Sequence, residues 1–321
     1  MWETIQSWFA SKPKLSVEDA AVLERLIDLA HPHIRLAKQY QSRLAPYLAW
    51  AQAHAIELAT RLPSPIALNV EHWRKNRLLQ LVFATPDRMQ EVVGQNQRLQ
   101  TWFANCPLED VAYLGLIADM SEKLRYGMSE NAGQIQHDVA QKLLVFSRHQ
   151  LGAPTASVDA LLTLSAQAIL NTVARQAQLA IAELEQKKMQ IEDELLNART
   201  MMRMYGQIAS SKHDPAQQQA RIGVLSAALQ QIHLELSPDS LCERLITELA
   251  ATPDTVRLET SVVNVNTMGL IDETCSETQA ITLQQLMYRH DELQTKLILT
   301  LKVHRSLMLP MKAEFTGEAL F

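Results

Sequence analysis

Two histidines flank a proline at His31-Pro32-His33, and paired imidazoles are a common beginning of a metal site. A site also needs further ligands at helical or turn spacing. No Cys, Asp or Glu stands at such spacing beside this pair, so no metal is expected. Glu192-Asp193-Glu194, with Glu183 and Glu185, offers paired carboxylates for general acid–base work. On one long helix these groups fall on the outer face beside Lys187 and Lys188, where i to i+4 ion pairing and solvation account for them. His137-Asp138 and His290-Asp291 set a base beside an acid. Neither adjoins a GxSxG elbow or a cysteine nucleophile, and both read as turn and edge residues. The chain has no Walker sequence, dinucleotide fingerprint or metalloprotease motif. No catalytic, cofactor-binding or metal-ligating residue is assigned, no cofactor is expected, and an enzyme is the disfavoured class.

One cluster points to a different chemistry. Glu71-His72-Trp73-Arg74-Lys75-Asn76-Arg77 combines cations with an aromatic, the ingredients of phosphate contact and base stacking. Trp73, Arg74, Lys75 and Arg77 are therefore the contacts of an alternative reading, a nucleic-acid-associated regulator. The plainer reading is a solvated turn with Trp73 tucked into the core. Met201, Met202 and Met204 could form an adaptable thioether surface near a helix end, although Met202 also fits an apolar seam.

That seam is the strongest pattern in the chain. Ile181, Leu184, Ile191, Leu195, Ala198, Met202 and Tyr205 fall on alternating three- and four-residue steps, and Ile222, Leu225, Leu229, Ile232 and Leu236 do the same. Such spacing is a coiled-coil contact surface. In an antiparallel pair the position numbers of facing residues add to a constant. Pairing Ile191 with Leu236, Leu195 with Ile232, Ala198 with Leu229, Met202 with Leu225 and Tyr205 with Ile222 satisfies this, with the centre between His213 and Asp214. The register leaves Ala174, Ala177, Ile181, Leu184 and Lys188 without a neighbour on the return leg. Those five residues are the expected docking surface for a protein partner or a second copy. Lys188 stands at a seam position, where its stem can lie along the apolar surface while its head reaches water.

The remaining elements position these features. Ser16 caps a helix that stops near His31-Pro32, a second helical pattern runs from about His33 to Leu62 with Pro46 as a kink or boundary, and short helices joined by tight turns fill Asn69 to Phe103. Val111 to Met128 and Val139 to Leu151 alternate as a β-hairpin around Glu130-Asn131-Ala132-Gly133. From about Ser157 to Ala209 one helix of roughly 50 residues is expected, with a return helix from Asp214-Pro215 and another after Ser237-Pro238. Val256 to Val265 and Leu297 to Val303 read as a small terminal sheet. Near the start, Trp2, Ile5, Trp8 and Phe9 line one face of a short amphipathic stretch expected to pack onto the body or a second subunit.

Composition agrees. The chain has 321 residues, 47% of them hydrophobic, and only 9 glycines, so it can bury a large core and favours helix. The formal charge of −5 carries no basic footprint for nucleic acid. Cys106, Cys242 and Cys275 lack the spacing of a disulfide framework or a zinc site. No stretch reaches the roughly 18 apolar residues of a membrane span, and nothing near Met1 reads as an export signal. A cytoplasmic location follows as an expectation. The expected architecture is mainly α: a helical domain with a β-hairpin over 1–153, a long helical hairpin with a capping helix over 154–252, and a small β-containing element over 253–321. The expected function is a non-enzymatic adaptor or assembly protein.

Overall fold

The computed structural model describes residues 15–131, 134–207, 215–266, 269–271, 278–289 and 293–309. The aromatic stretch from Trp2 to Phe9, Cys275, and the pair His290-Asp291 lie outside them. No helix among the described residues is long and apolar enough to cross a membrane.

The helices are α1 (Val17–Ala30), α2 (Tyr40–Thr60), α3 (Val70–Lys75), α4 (Arg77–Phe83), α5 (Pro86–Gly94), α6 (Gln97–Asn105), α7 (Val158–Gln207), α8 (Pro215–Glu235), α9 (Pro238–Ala250) and α10 (Thr252–Thr255). The strands are β1 (Ile66–Leu68), β2 (Val111–Asn131), β3 (Gln134–Leu151), β4 (Val256–Val265), β5 (Leu270–Ile271), β6 (Gln279–Arg289) and β7 (Leu293–His304).

The chain forms two compact units, and both are discontinuous in sequence: Met1–Ala55 with Gln167–Thr255, and Ile56–Ala166 with Val256–Phe321. These units are drawn differently from the expected division into 1–153, 154–252 and 253–321. Gly152-Ala153-Pro154 is no boundary, because Thr155 still pairs with Tyr113 through two backbone hydrogen bonds, at 2.9 and 2.8 Å.

The first unit is helical. Ser16 accepts the Asp19 N–H at the start of α1, and Leu23, Leu26, Ile27 and Ala30 on its inner face are buried. The first part of α2 adds Leu44, Leu48, Ala51 and Ala55, with Pro46 inside the helix instead of ending it. Ala174, Ala177 and Ile181 of α7 and Leu241, Leu245 and Leu249 of α9 complete the core. Arg43 ties α2 to α9 by a fork, with Asp239 at 2.6 Å and Glu243 at 2.7 Å.

The second unit corrects the expected fold class. In place of a mainly α chain with a small terminal β element, seven strands form one sheet. The hairpin of β2 and β3 and the C-terminal strands are direct neighbours: β2 runs antiparallel to β7 from Val111 against His304 to Asp119 against Lys296. The order β7-β2-β3-β5-β4-β6 returns to β7 through the pairing of Gln285 with Leu297, so the sheet closes on itself. Farther along the same edge of β7, β1 pairs in parallel. Leu297, Leu299, Leu301 and Val303, all buried, alternate along β7 and meet Ala112, Leu114, Leu116 and Ala118 of β2 in one core. Each large side chain so buried contributes roughly 1.5–3 kcal/mol relative to exposure.

Three short helices, α4 to α6, join that core through Leu79, Phe83, Met89, Val93, Leu99 and Phe103, and α3 packs the partly buried Trp73 against it. Their boundaries are local chemistry. Asn69, Asn76, Thr85 and Asn96 each accept the N–H of the residue three places on, satisfying a donor that the first turn leaves open. Beyond Ser121 the β2–β3 hairpin continues as a two-stranded ribbon that no third strand flanks among the described residues until Lys142, and Leu124 and Tyr126 on it are exposed.

Candidate functional site

The ring of strands is thin on both sides of β5, which pairs with β4 only through Val265 and Ile271. Only Lys142 and Leu143 pair with β5, and Leu144 adds one N–H to the Gly269 carbonyl at 3.0 Å. From Val145 onward that edge of β3 pairs with no strand among the described residues. Helix α4 lies across it instead, and a cleft of about 700 Å³ opens between them. Trp73, Arg77, Gln80, Arg88, Arg148 and His149 supply its polar lining. Strand alternation places the Phe146 N–H on the same edge as that of Leu144.

A bulge sets the two β3 residues in place. Ile117 pairs with Gln150 and Asp119 with Ser147, so one residue of β2 opposes both Arg148 and His149. Arg148 takes a left-handed φ of 49°, a conformation normally left to glycine in such bulges. The extra residue breaks the regular alternation of side chains at Arg148 and His149. Ala84, at the end of α4, also has a positive φ, 54°, and also lines the cleft. Two non-glycine residues in left-handed backbone on one wall store strain of the kind that collects at binding sites.

His149 is held from two sides. Its Nε2–H donates to the Val82 carbonyl at 2.8 Å, because a carbonyl can only accept, and its ring stacks on Phe83 with centroids 5.5 Å apart. Burial pushes its pKa below the ordinary histidine value. The Val82 hydrogen bond opposes this, and the charge of Arg88 adds to it. The ring is neutral at pH 7, leaving Nδ1 as an acceptor.

The arginines differ in how firmly they are held. Arg77 donates to Gln80 Oε1 at 2.7 Å and to the Asn266 carbonyl, and burial lowers its pKa from the usual arginine value without removing its charge. Arg88 pairs with Glu91 at 2.6 Å. Arg148 reaches Asp119 only at 3.5 Å, and its side chain is 79% exposed; Asp119 is shared with Lys296 at 3.0 Å. The residues that line the cleft include three arginines and no Asp or Glu.

The four residues of the basic-aromatic cluster thus separate. Trp73 and Arg77 stand on the cleft, whereas Arg74 and Lys75 are exposed beside it, the Arg74 carbonyl accepting from Gln80. Arg88, Arg148 and His149 escaped the sequence reading. Thr85-Pro86 announced the helix that carries Arg88, but nothing local marks a bulge in β3.

The seam residues lie in the helical unit. Leu195, Ala198 and Ile232 are buried, Ile191, Ile222, Leu225, Leu229 and Leu236 are half-buried, and Met202 is exposed; the side chain of Tyr205 is outside the described residues. The expected register does not hold. It would set Glu194 opposite His233, yet Glu194 pairs with Arg221 at 3.4 Å, twelve residues away and roughly 18 Å along the helix. This ion pair fits a register slid by two heptads, in which Ile181 faces Ile232, Leu184 faces Leu229 and Lys188 faces Leu225. A heptad seam repeats every seven residues, so spacing alone cannot separate the two. Ala174, Ala177 and Ile181 are buried and Leu184 and Lys188 half-buried within the unit, so the docking surface expected there is already covered.

His31 and Glu185 form a structural pair at 3.3 Å, and His31 Nδ1 accepts the His33 N–H. No cluster able to hold a metal occurs among the described residues. The side chains of His137 and Asp138 lie outside them. Neither protein-family models, nor curated proteins, nor solved structures offer a match to this chain.

Proposed function

We propose that the protein works without catalysis, as an adaptor or assembly factor that engages a protein partner or a second copy of itself through the outer part of α7. The observation that carries this reading is a second apolar stripe on that helix. At 100° per residue, Met189, Leu196 and Met204 fall within an arc of about 80° on the side away from Leu195 and Ala198. All three are exposed, Leu196 to 64%. Leu195 and Ala198 on the seam face are buried within the chain, and this back face is an apolar surface that α7 leaves exposed.

The test is a full-length variant carrying Met189→Glu and Leu196→Glu. Light scattering after size-exclusion chromatography and affinity purification should show a lost self-association or a lost partner, with helicity unchanged by circular dichroism. An unchanged mass and unchanged partners in the folded variant would overturn the proposal.

A further inference from the structure

We infer that the cleft between α4 and the open edge of β3 binds a small organic phosphate, its phosphate group held by Arg77, Arg88 and Arg148 and its organic part lying against Trp73 and Leu81. The inference rests on the barrel unit alone and is independent of the reading of α7.

Charge favours an anion: three arginines, and no Asp or Glu, are among the residues that line the cleft. Glu91 pairs with Arg88 and Asp119 with Arg148, and Asp119 also serves Lys296, so with Arg77 these four cations outnumber the two carboxylates. The planar fork of arginine matches phosphate oxygens in pairs, and three forks suit a group with three oxygens better than a carboxylate with two. Arg88 and Arg148 bind their present carboxylates at the surface, where such pairs are weak and readily exchanged. Arg77 is pinned by Gln80 and Asn266 and provides the fixed point.

Construction agrees: a bulge sets Arg148, in left-handed backbone, among the residues that line the cleft, at a cost in strain. The neutral His149 offers Nδ1 to a ligand hydroxyl or to a protonated phosphate oxygen. The size of the cleft fits as well. About 700 Å³ lies within the roughly 300–1,000 Å³ of small-molecule sites, and Trp73 with Leu81 gives part of the wall an apolar character.

The experiment is calorimetric titration of the full chain at low salt with ADP, ribose 5-phosphate and inorganic pyrophosphate. ADP should bind, pyrophosphate should bind more weakly, and Trp73→Leu should weaken ADP while leaving pyrophosphate unchanged. The variant Arg88→Gln with Arg148→Gln should lose about 100-fold in ADP affinity, roughly tenfold for each charge-assisted contact, with an unchanged melting temperature in the absence of ligand. Absence of binding by all three probes to the folded wild type would overturn the inference, as would equal binding by the double variant. Pyrophosphate binding as tightly as ADP would overturn the organic half. A 5′-phosphorylated single-stranded oligonucleotide bound more tightly than ADP through the same arginines would replace the small ligand with a nucleic acid.

Discussion

Replacing Arg148 by glycine and, separately, by alanine isolates the strain in the β3 bulge. Arg148 has φ near 49°. An L-residue in that region is disfavoured by roughly 1–2 kcal/mol, from the approach of Cβ to the carbonyl oxygen. Glycine escapes that penalty but gives up about 0.5–1 kcal/mol in chain entropy on folding. Both variants lose the same contact, the 3.5 Å pair with Asp119, so that loss cancels in the comparison. The glycine variant should therefore be more stable than the alanine variant by about 1 kcal/mol. Urea titrations would measure this as a higher midpoint at unchanged slope, with the two units allowed separate transitions. Against the wild type, the glycine variant should be near neutral or stabilised, since an exposed pair contributes about 1 kcal/mol at most. Equal midpoints for the two variants, or a more stable alanine variant, would refute the strain argument and with it the reason for an arginine at this position. The same two proteins also separate folding from binding, because both lack the guanidinium while only one keeps the strain.

Two other predictions concern the barrel unit. Burial holds the His149 pKa below its unfolded value, so the unfolded chain takes up the proton first as pH falls; stability present above about pH 6.5 should be lost on acidification from there toward the folded pKa. His149→Gln should flatten the melting temperature between about pH 7 and pH 5, and parallel curves for variant and wild type would remove His149 as the cause. At Gly94, an added Cβ would stand 2.5 Å from the Leu307 carbonyl oxygen, a backbone atom that cannot swing away. Gly94→Ala should cost about 1–3 kcal/mol despite the usual helix preference for alanine, and a thermal melt no lower than that of the wild type would contradict that packing.

Local chemistry was legible in the sequence wherever it acts over a few residues. Ser16, Thr85 and Ser237 marked helix starts, since a cap reads the N–H three places on. The unbroken run after Ser157 became the 50-residue α7, and strict alternation identified β7 and the β2–β3 hairpin. β6 went unread because Gln284-Gln285-Leu286-Met287 has little β-branched character, and β1 and β5 are too short for any period to register.

What the tertiary structure alone decided is which elements meet. An alternating strand states that it has a buried face, and a heptad seam states that it has a partner, but neither states the partner's address. Hydrogen bonds between β2 and β7 join residues some 180 positions apart, turning two supposed separate parts into one closed sheet. The Glu194–Arg221 pair chose among seam registers that repeat every heptad. The cleft depends on both kinds of decision: Trp73 and Arg77 could be picked out from their neighbours, whereas Arg148 and His149 reach them only because β3 bulges and its edge is left open beside α4. Side-chain spacing along a chain carries the period of an element, and long-range pairing is set by the competition among all buried faces at once.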